Sequence, residues 1–187
     1  RTHACMHGTW APLPSLLVPR HTAASASLAG AVYLCGGASA PEGGDDETDD
    51  DVEIVSTAEC LDVDALAVGS AGGARWSSLP PMAVRRAGAL AAAWGGRLIV
   101  AGGIGGVSEP DFLAEVECFD PVARSWAPLP SMPAARAYAS GGVLAGRLLV
   151  CGGEGDEAGA EEEEADLVFL NSAVSLDLAS RKWGSAP

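Results

Sequence analysis

Three apolar runs that each end in a glycine pair punctuate the chain: AVYLCGG over 31–37, RLIVAGG over 97–103 and RLLVCGG over 147–153. Runs of this length closed by glycine predict buried β-strands. Ahead of each lies a stretch of small residues, HTAASASL at 21–28, AGALAAAW at 87–94 and AYASGGVL at 137–144. Tight turns containing Ala29-Gly30, Gly95-Gly96 and Ala145-Gly146 connect each stretch to the run that follows. Behind each run comes a short alternating segment ending in Asp62, Asp120 or Asp177 (AECLD, VECFD, AVSLD), and then a segment carrying Trp76, Trp126 or Trp183. Each unit therefore predicts four antiparallel strands, here a, b, c and d, with the small residues on a and the Trp on d.

The units are in register with one another. Trp10, Trp76 and Trp126 are each followed by Leu-Pro and lie ten residues before Arg20, Arg86 and Arg136. Each Arg lies sixteen residues before the first glycine of a doublet, Gly36-Gly37, Gly102-Gly103 and Gly152-Gly153. The return from doublet to Trp takes 40, 24 and 31 residues, so the middle copy is the minimal unit, with a period of 50. The extra residues of the outer copies fall in loops: eight before Asp62, eight more in 63–74, and seven before Asp177. Four short strands repeated at about 50 residues spell a β-propeller blade, with strand a lining the crowded axis.

The doublet after strand b, the apolar position before the Asp (Leu61, Phe119, Leu176) and the spaced Trp resemble the kelch repeat family over nearly the whole chain. The family's usual Tyr before the Asp is replaced here by Phe or Leu. The resemblance implies an all-β kelch-type propeller in which the doublets permit tight backbone turns and the Trp and Arg pack within and between blades. It divides the chain into the outer strand of a preceding blade (1–19, with Trp10), a blade with acidic and Gly/Ala-rich insertions (20–80), a minimal blade (86–130) and a blade with an acidic insertion (136–187). About three blades do not close a ring, so the chain reads as part of a larger propeller, completed by further blades or by self-association.

Composition adds bounds. The 187 residues are 48% hydrophobic, enough for a core, and no apolar stretch approaches a membrane span. With 25 acidic and 11 basic residues the formal charge is −14, which disfavours nucleic acid and anionic membrane surfaces as partners. Five Cys residues make an odd number in a chain that needs no staples, so an intracellular, reducing compartment such as the cytoplasm is expected. The start at Arg1, without Met or a signal-like apolar run, reads as a fragment.

The charge is uneven. Loop b–c of the first blade holds Glu42, Asp45, Asp46, Glu47, Asp49, Asp50, Asp51 and Glu53; that of the third holds Glu154, Asp156, Glu157, Glu161, Glu162, Glu163, Glu164 and Asp166. Nine acids remain against the 11 basic residues, so the body is near neutral. In a meander the b–c loops and d–a links emerge at one end, which makes that face a candidate docking surface for basic segments of a protein partner. The alternative is solvated loop filler. Arg20, Arg86 and Arg136 start the strands at the same face, where similar positions in the family sometimes bind acidic peptides, and the acidic loops would then mask them.

Other chemistry is sparse. DDETDDD lacks the order of a calcium loop. His3, Cys5 and His7 alternate as soft metal ligands would on a strand, or are incidental to a truncated one. His21 reads as a packing or turn residue. Cys35 and Cys151 share one repeat position, and Cys60 and Cys118 another, as small buried thiols. There is no serine nucleophile elbow, and GGIGGV lacks the third glycine of a dinucleotide fingerprint. No cofactor or catalytic residue is expected. The leading expectation is a kelch-type interaction module, a substrate receptor or scaffold. Its rivals are a fragment of a propeller enzyme of the copper-oxidase or iron-dependent specifier type with its site elsewhere, and a degenerate repeat fragment.

Overall fold

In the computed structural model, residues 12–39, 52–63, 75–106, 111–156 and 167–185 are described. Each of three successive units forms a four-stranded antiparallel meander. The first runs β1 (Ala24–Leu28), β2 (Ala31–Cys35), β5 (Ala58–Asp62), β6 (Trp76–Leu79). The second is β7 (Leu90–Trp94), β8 (Arg97–Ala101), β9 (Val116–Asp120), β10 (Ser125–Leu129). The third is β11 (Ser140–Leu144), β12 (Arg147–Cys151), β15 (Ala173–Asp177), β16 (Lys182–Ser185). These are the predicted strands a to d, three times over, in the arrangement of propeller blades; Trp10, assigned to a preceding blade, lies outside the described residues. Two short hairpins, β3 (Ala38–Ser39) with β4 (Glu53–Ile54) and β13 (Glu154–Asp156) with β14 (Leu167–Phe169), extend the outer b–c loops as arms and were not anticipated.

The a–b turns have left-handed conformations at both central residues, φ 49° and 76° at Ala29-Gly30 and φ 49° and 73° at Ala145-Gly146. That is the two-residue hairpin geometry whose twist matches the strands it joins. Strand a begins three residues later than the small-residue stretches suggested, because His21, Ala87 and Ala137 instead make single bridges to Ala38, Ile104 and Glu154.

The core lies between blades. Tyr33, Cys35 and Ala58 of the first blade pack against Leu98, Val100 and Phe119 of the second, with Met82 beneath. Ile99, Ala101 and Val116 of the second meet Leu148, Val150 and Leu176 of the third, with Met132 beneath. Alternate residues of strand b thus face opposite neighbours, which is why b reads as an unbroken apolar run. Each Trp closes the outer rim. The indole N–H groups of Trp76, Trp126 and Trp183 donate to the carbonyls of Pro14, Pro80 and Pro130, at 3.0, 2.8 and 2.8 Å, so each strand d is tied to the Leu-Pro of the blade before.

Candidate docking face

The end at which the b–c loops and d–a links emerge is built on the arginines. Arg86 Nη1 donates to the carbonyls of Gly102 (2.8 Å) and Glu115 (2.9 Å), and Nη2 to Glu117 (2.8 Å). Glu117 also accepts the backbone N–H groups of Ala83 (2.8 Å) and Val84 (3.2 Å). The first blade repeats this with Arg20, Gly36, Thr57 and Glu59, and Glu59 accepts from Leu17 and Val18. Arg86 and Arg136 are 0% and 1% exposed, and the Arg20 side chain 1%. The suggestion that these arginines meet acidic peptides is therefore corrected. A partner carboxylate would have to displace two carbonyls and, in two blades, a buried carboxylate. These three arginines therefore offer the acidic loops no exposed guanidinium to mask, and in the same link only the neighbouring Arg85 is exposed.

The doublets serve as joints between blades. Gly37 N–H donates to the carbonyl of Arg86 (2.8 Å) and Gly103 N–H to that of Arg136 (2.9 Å). A Cβ on Gly102, whose φ is 66°, would run into the Arg136 carbonyl, so the second and third blades approach this closely only across a glycine.

Above these joints the strand-a leaders form a stair around the axis. Gly88 N–H donates to Thr22 O (2.8 Å) and Tyr138 N–H to Gly88 O (2.7 Å). Thr22 and Tyr138 hold left-handed φ values of 51° and 54° at the position where the middle blade has Gly88, φ 63°. Such strain concentrates at functional sites. The Tyr138 ring lies directly over Gly88, leaving no room for a Cβ there, and is 48% exposed. Between the first two blades, His21, Thr22, Val52, Ile54, Ile104 and Tyr138 line an apolar cavity of about 120 Å³. Ala38, Ile54 and Ala87 pack as its floor. Sequence reasoning overlooked this cluster. The signal that could have found it is the doublet-to-doublet alignment, which places Thr22 and Tyr138 where the middle copy has glycine.

Asp45, Asp46, Asp49, Asp50, Glu161, Glu162 and Glu163, the acids assigned to docking, lie outside the described residues, as do His3, Cys5 and His7. The arms that lead to those acids, β3–β4 and β13–β14, open on the face of the cavity. Glu53 is exposed and Glu154 half-buried.

At the opposite end, a larger cleft of about 540 Å³ between the second and third blades is lined by Trp94, Arg97, Cys118, Asp120, Leu178 and Arg181. Arg97 pairs with Asp120 at 2.9 Å. The Asp120 carboxylate is held below the usual range first by the Ala123 N–H and then by Arg97. It caps its own turn and orders the c–d hairpin. Among the described residues no cluster of His, Cys, Asp or Glu is arranged to hold a metal ion. The four described cysteines are free thiols, and no described helix is long and apolar enough to cross a membrane. Cys35 is buried and its thiol pushed up to about 12 by that burial. Cys151, its repeat equivalent, is exposed, which corrects the reading of both as buried: no described blade packs on that side of β12.

The Kelch motif family model matches residues 85–133, which cover the minimal blade from Arg85 to the following Met132 and Pro133. The solved structure of YjhT, a kelch-type β-propeller, superposes with a TM-score of 0.66 at 22% identity, over 93% of this chain and 53% of that one. This chain thus spans about half the length of that propeller. No curated protein matches it in sequence.

Proposed function

From a chain that carries a Kelch motif and folds as blades of a kelch-type β-propeller, we propose a protein-interaction module that performs no reaction itself. It binds a protein or peptide partner through the face of the b–c arms and d–a links, in a substrate-receptor or scaffold role. The partner segment is basic. What carries this reading is that the arms leading into the acid-rich segments 40–51 and 157–166, β3–β4 and β13–β14, leave the blades on the face that holds an apolar cavity under a strained, half-exposed Tyr138. The insertions hold 13 of the chain's 25 acids and no basic residue. Their field steers a cationic segment over roughly a Debye length of about 8 Å, and the cavity gives one small aliphatic side chain a place to anchor.

Fluorescence anisotropy with a library of lysine- and arginine-containing peptides tests the reading. Binding should weaken with salt and fall about tenfold when 40–51 and 157–166 are deleted. Tyr138→Gly, which relieves the φ strain, should weaken it without changing the salt slope. Binding that is indifferent to both changes would remove this face from consideration. Metal analysis of the complete protein separates the rival, since stoichiometric copper or iron would favour a propeller enzyme.

A further inference from the structure

The third blade breaks the arginine pattern at one point. Val174 occupies the position of Glu59 and Glu117, so buried Arg136 has no carboxylate partner among the described residues. Pro133 stands where Leu17 and Ala83 donate an N–H to those glutamates, so one donor has been lost together with the acceptor. What remains for Arg136 is weaker. Nη1 reaches the carbonyls of Gly152 (3.1 Å) and Ser172 (3.2 Å) and Nη2 reaches only Ser172 Oγ (3.2 Å), while Nε, like that of Arg86, has no acceptor. Unlike the glutamates it replaces as partner, Ser172 is exposed.

We propose that Ser172 is a phosphorylation site whose phosphate Arg136 holds in place of the carboxylate that the first two blades supply. In the transfer, Ser172 Oγ attacks the γ-phosphorus of a nucleoside triphosphate on a protein kinase. The Oγ–P bond forms, the bond from that phosphorus to the β,γ-bridging oxygen breaks, the hydroxyl proton passes to the kinase's base, and the nucleoside diphosphate leaves. The phosphoserine brings two negative charges and three acceptor oxygens to a guanidinium that lacks a carboxylate and whose Nη2 is held only by the Ser172 hydroxyl. Repulsion from the acids of the same arm, Glu154 among them, opposes it.

The consequence falls on the arm. Gly152 N–H donates to Ser172 O (2.9 Å) and Leu170 N–H to Gly153 O (2.8 Å), so Ser172 sits where the β13–β14 arm re-enters the blade beside the doublet. A phosphate clamped to Arg136 fixes that stem.

The test is phosphoserine encoded at 172 in the complete protein. In a ³¹P titration its second ionisation should fall clearly below the ordinary value of about 6, and the folding equilibrium constant in urea should rise about tenfold over the unmodified protein. Val174→Glu returns a carboxylate to Arg136 and should abolish both effects. In protein isolated from its source with phosphatases inhibited, the peptide bearing Ser172 should carry a phosphatase-sensitive phosphate. An ordinary ionisation with an unchanged folding constant would overturn the proposal, as would effects that persist with Val174→Glu, or a Ser172 unmodified under every growth condition sampled.

Discussion

A guanidinium taken out of water costs least where its charge and donors are answered, and Arg86 has Glu117 for its charge and two carbonyls for Nη1, with only Nε left without an acceptor. Glu117→Ala leaves that charge uncompensated and orphans the Ala83 and Val84 N–H groups. It should cost about 3–5 kcal/mol, read as a lower urea midpoint with an unchanged slope. Cys35 gives a second prediction. Its thiol is raised from 9.0 to about 12 by burial, so the folded chain keeps a proton that the unfolded chain releases. The stabilisation is therefore complete below pH 9 and is lost as pH rises from 9 toward 12; Cys35→Ala should flatten the stability profile in that window. For the same reason a thiol reagent at neutral pH should modify exposed Cys151 well before Cys35.

At the level of strands, the rim indoles join neighbouring blades. Trp126→Phe keeps the ring that packs 5.0 Å from Phe119 but removes the N–H bonded to Pro80 O, at a cost of about 1 kcal/mol in thermal unfolding. The third blade offers the converse experiment. Pro133→Ala with Val174→Glu rebuilds the carboxylate and its lost donor together, and the pair should raise the melting temperature by several degrees, more than either change alone. The four strands of each blade were legible because periodicity, turn glycines and the Asp and Trp markers repeat in register. The two arms were not, since β3 and β4 are two residues each and carry no periodicity. What pairs them is the continuation of the ladder past the doublet.

Taken as a whole, the chain presents the same joint again and again. Met82 and Met132 donate N–H to Ser56 O and Ala114 O (2.9 and 2.8 Å), while Gly37 and Gly103 donate to the next blade's Arg carbonyl. In the third blade the equivalents, Asn171 O and Gly153 N–H, meet no following blade among the described residues. Hydrogen exchange should therefore find the Gly37 and Gly103 amides protected and that of Gly153 fast. Protection of Gly153 in a longer chain would report a further blade docked there. The charge also belongs to this scale. A near-neutral body with its acids gathered on insertions predicts that removing 40–51 and 157–166 abolishes salt-dependent attraction of cations while leaving the fold's stability nearly unchanged, measured by binding and by urea unfolding of the same variant.

The sequence alone determined the blade: four strands, their order, their turns and the kelch resemblance, because hydrophobic period and turn chemistry are local and here are written three times. It could not decide where the markers point. Arg20, Arg86 and Arg136 were read as possible contacts for a partner, yet strand c folds back to supply Glu59 and Glu117, and burial makes the same side chains internal ties. Nothing in the repeat marks Tyr138, whose ring only the stair of inter-blade hydrogen bonds sets over Gly88. The vacancy left by Val174 shows only against its neighbours in space, since a valine on a strand is unremarkable until a buried guanidinium is found beside it. Charge pairing and close approach join residues tens of positions apart, and only the packed blades bring those residues together.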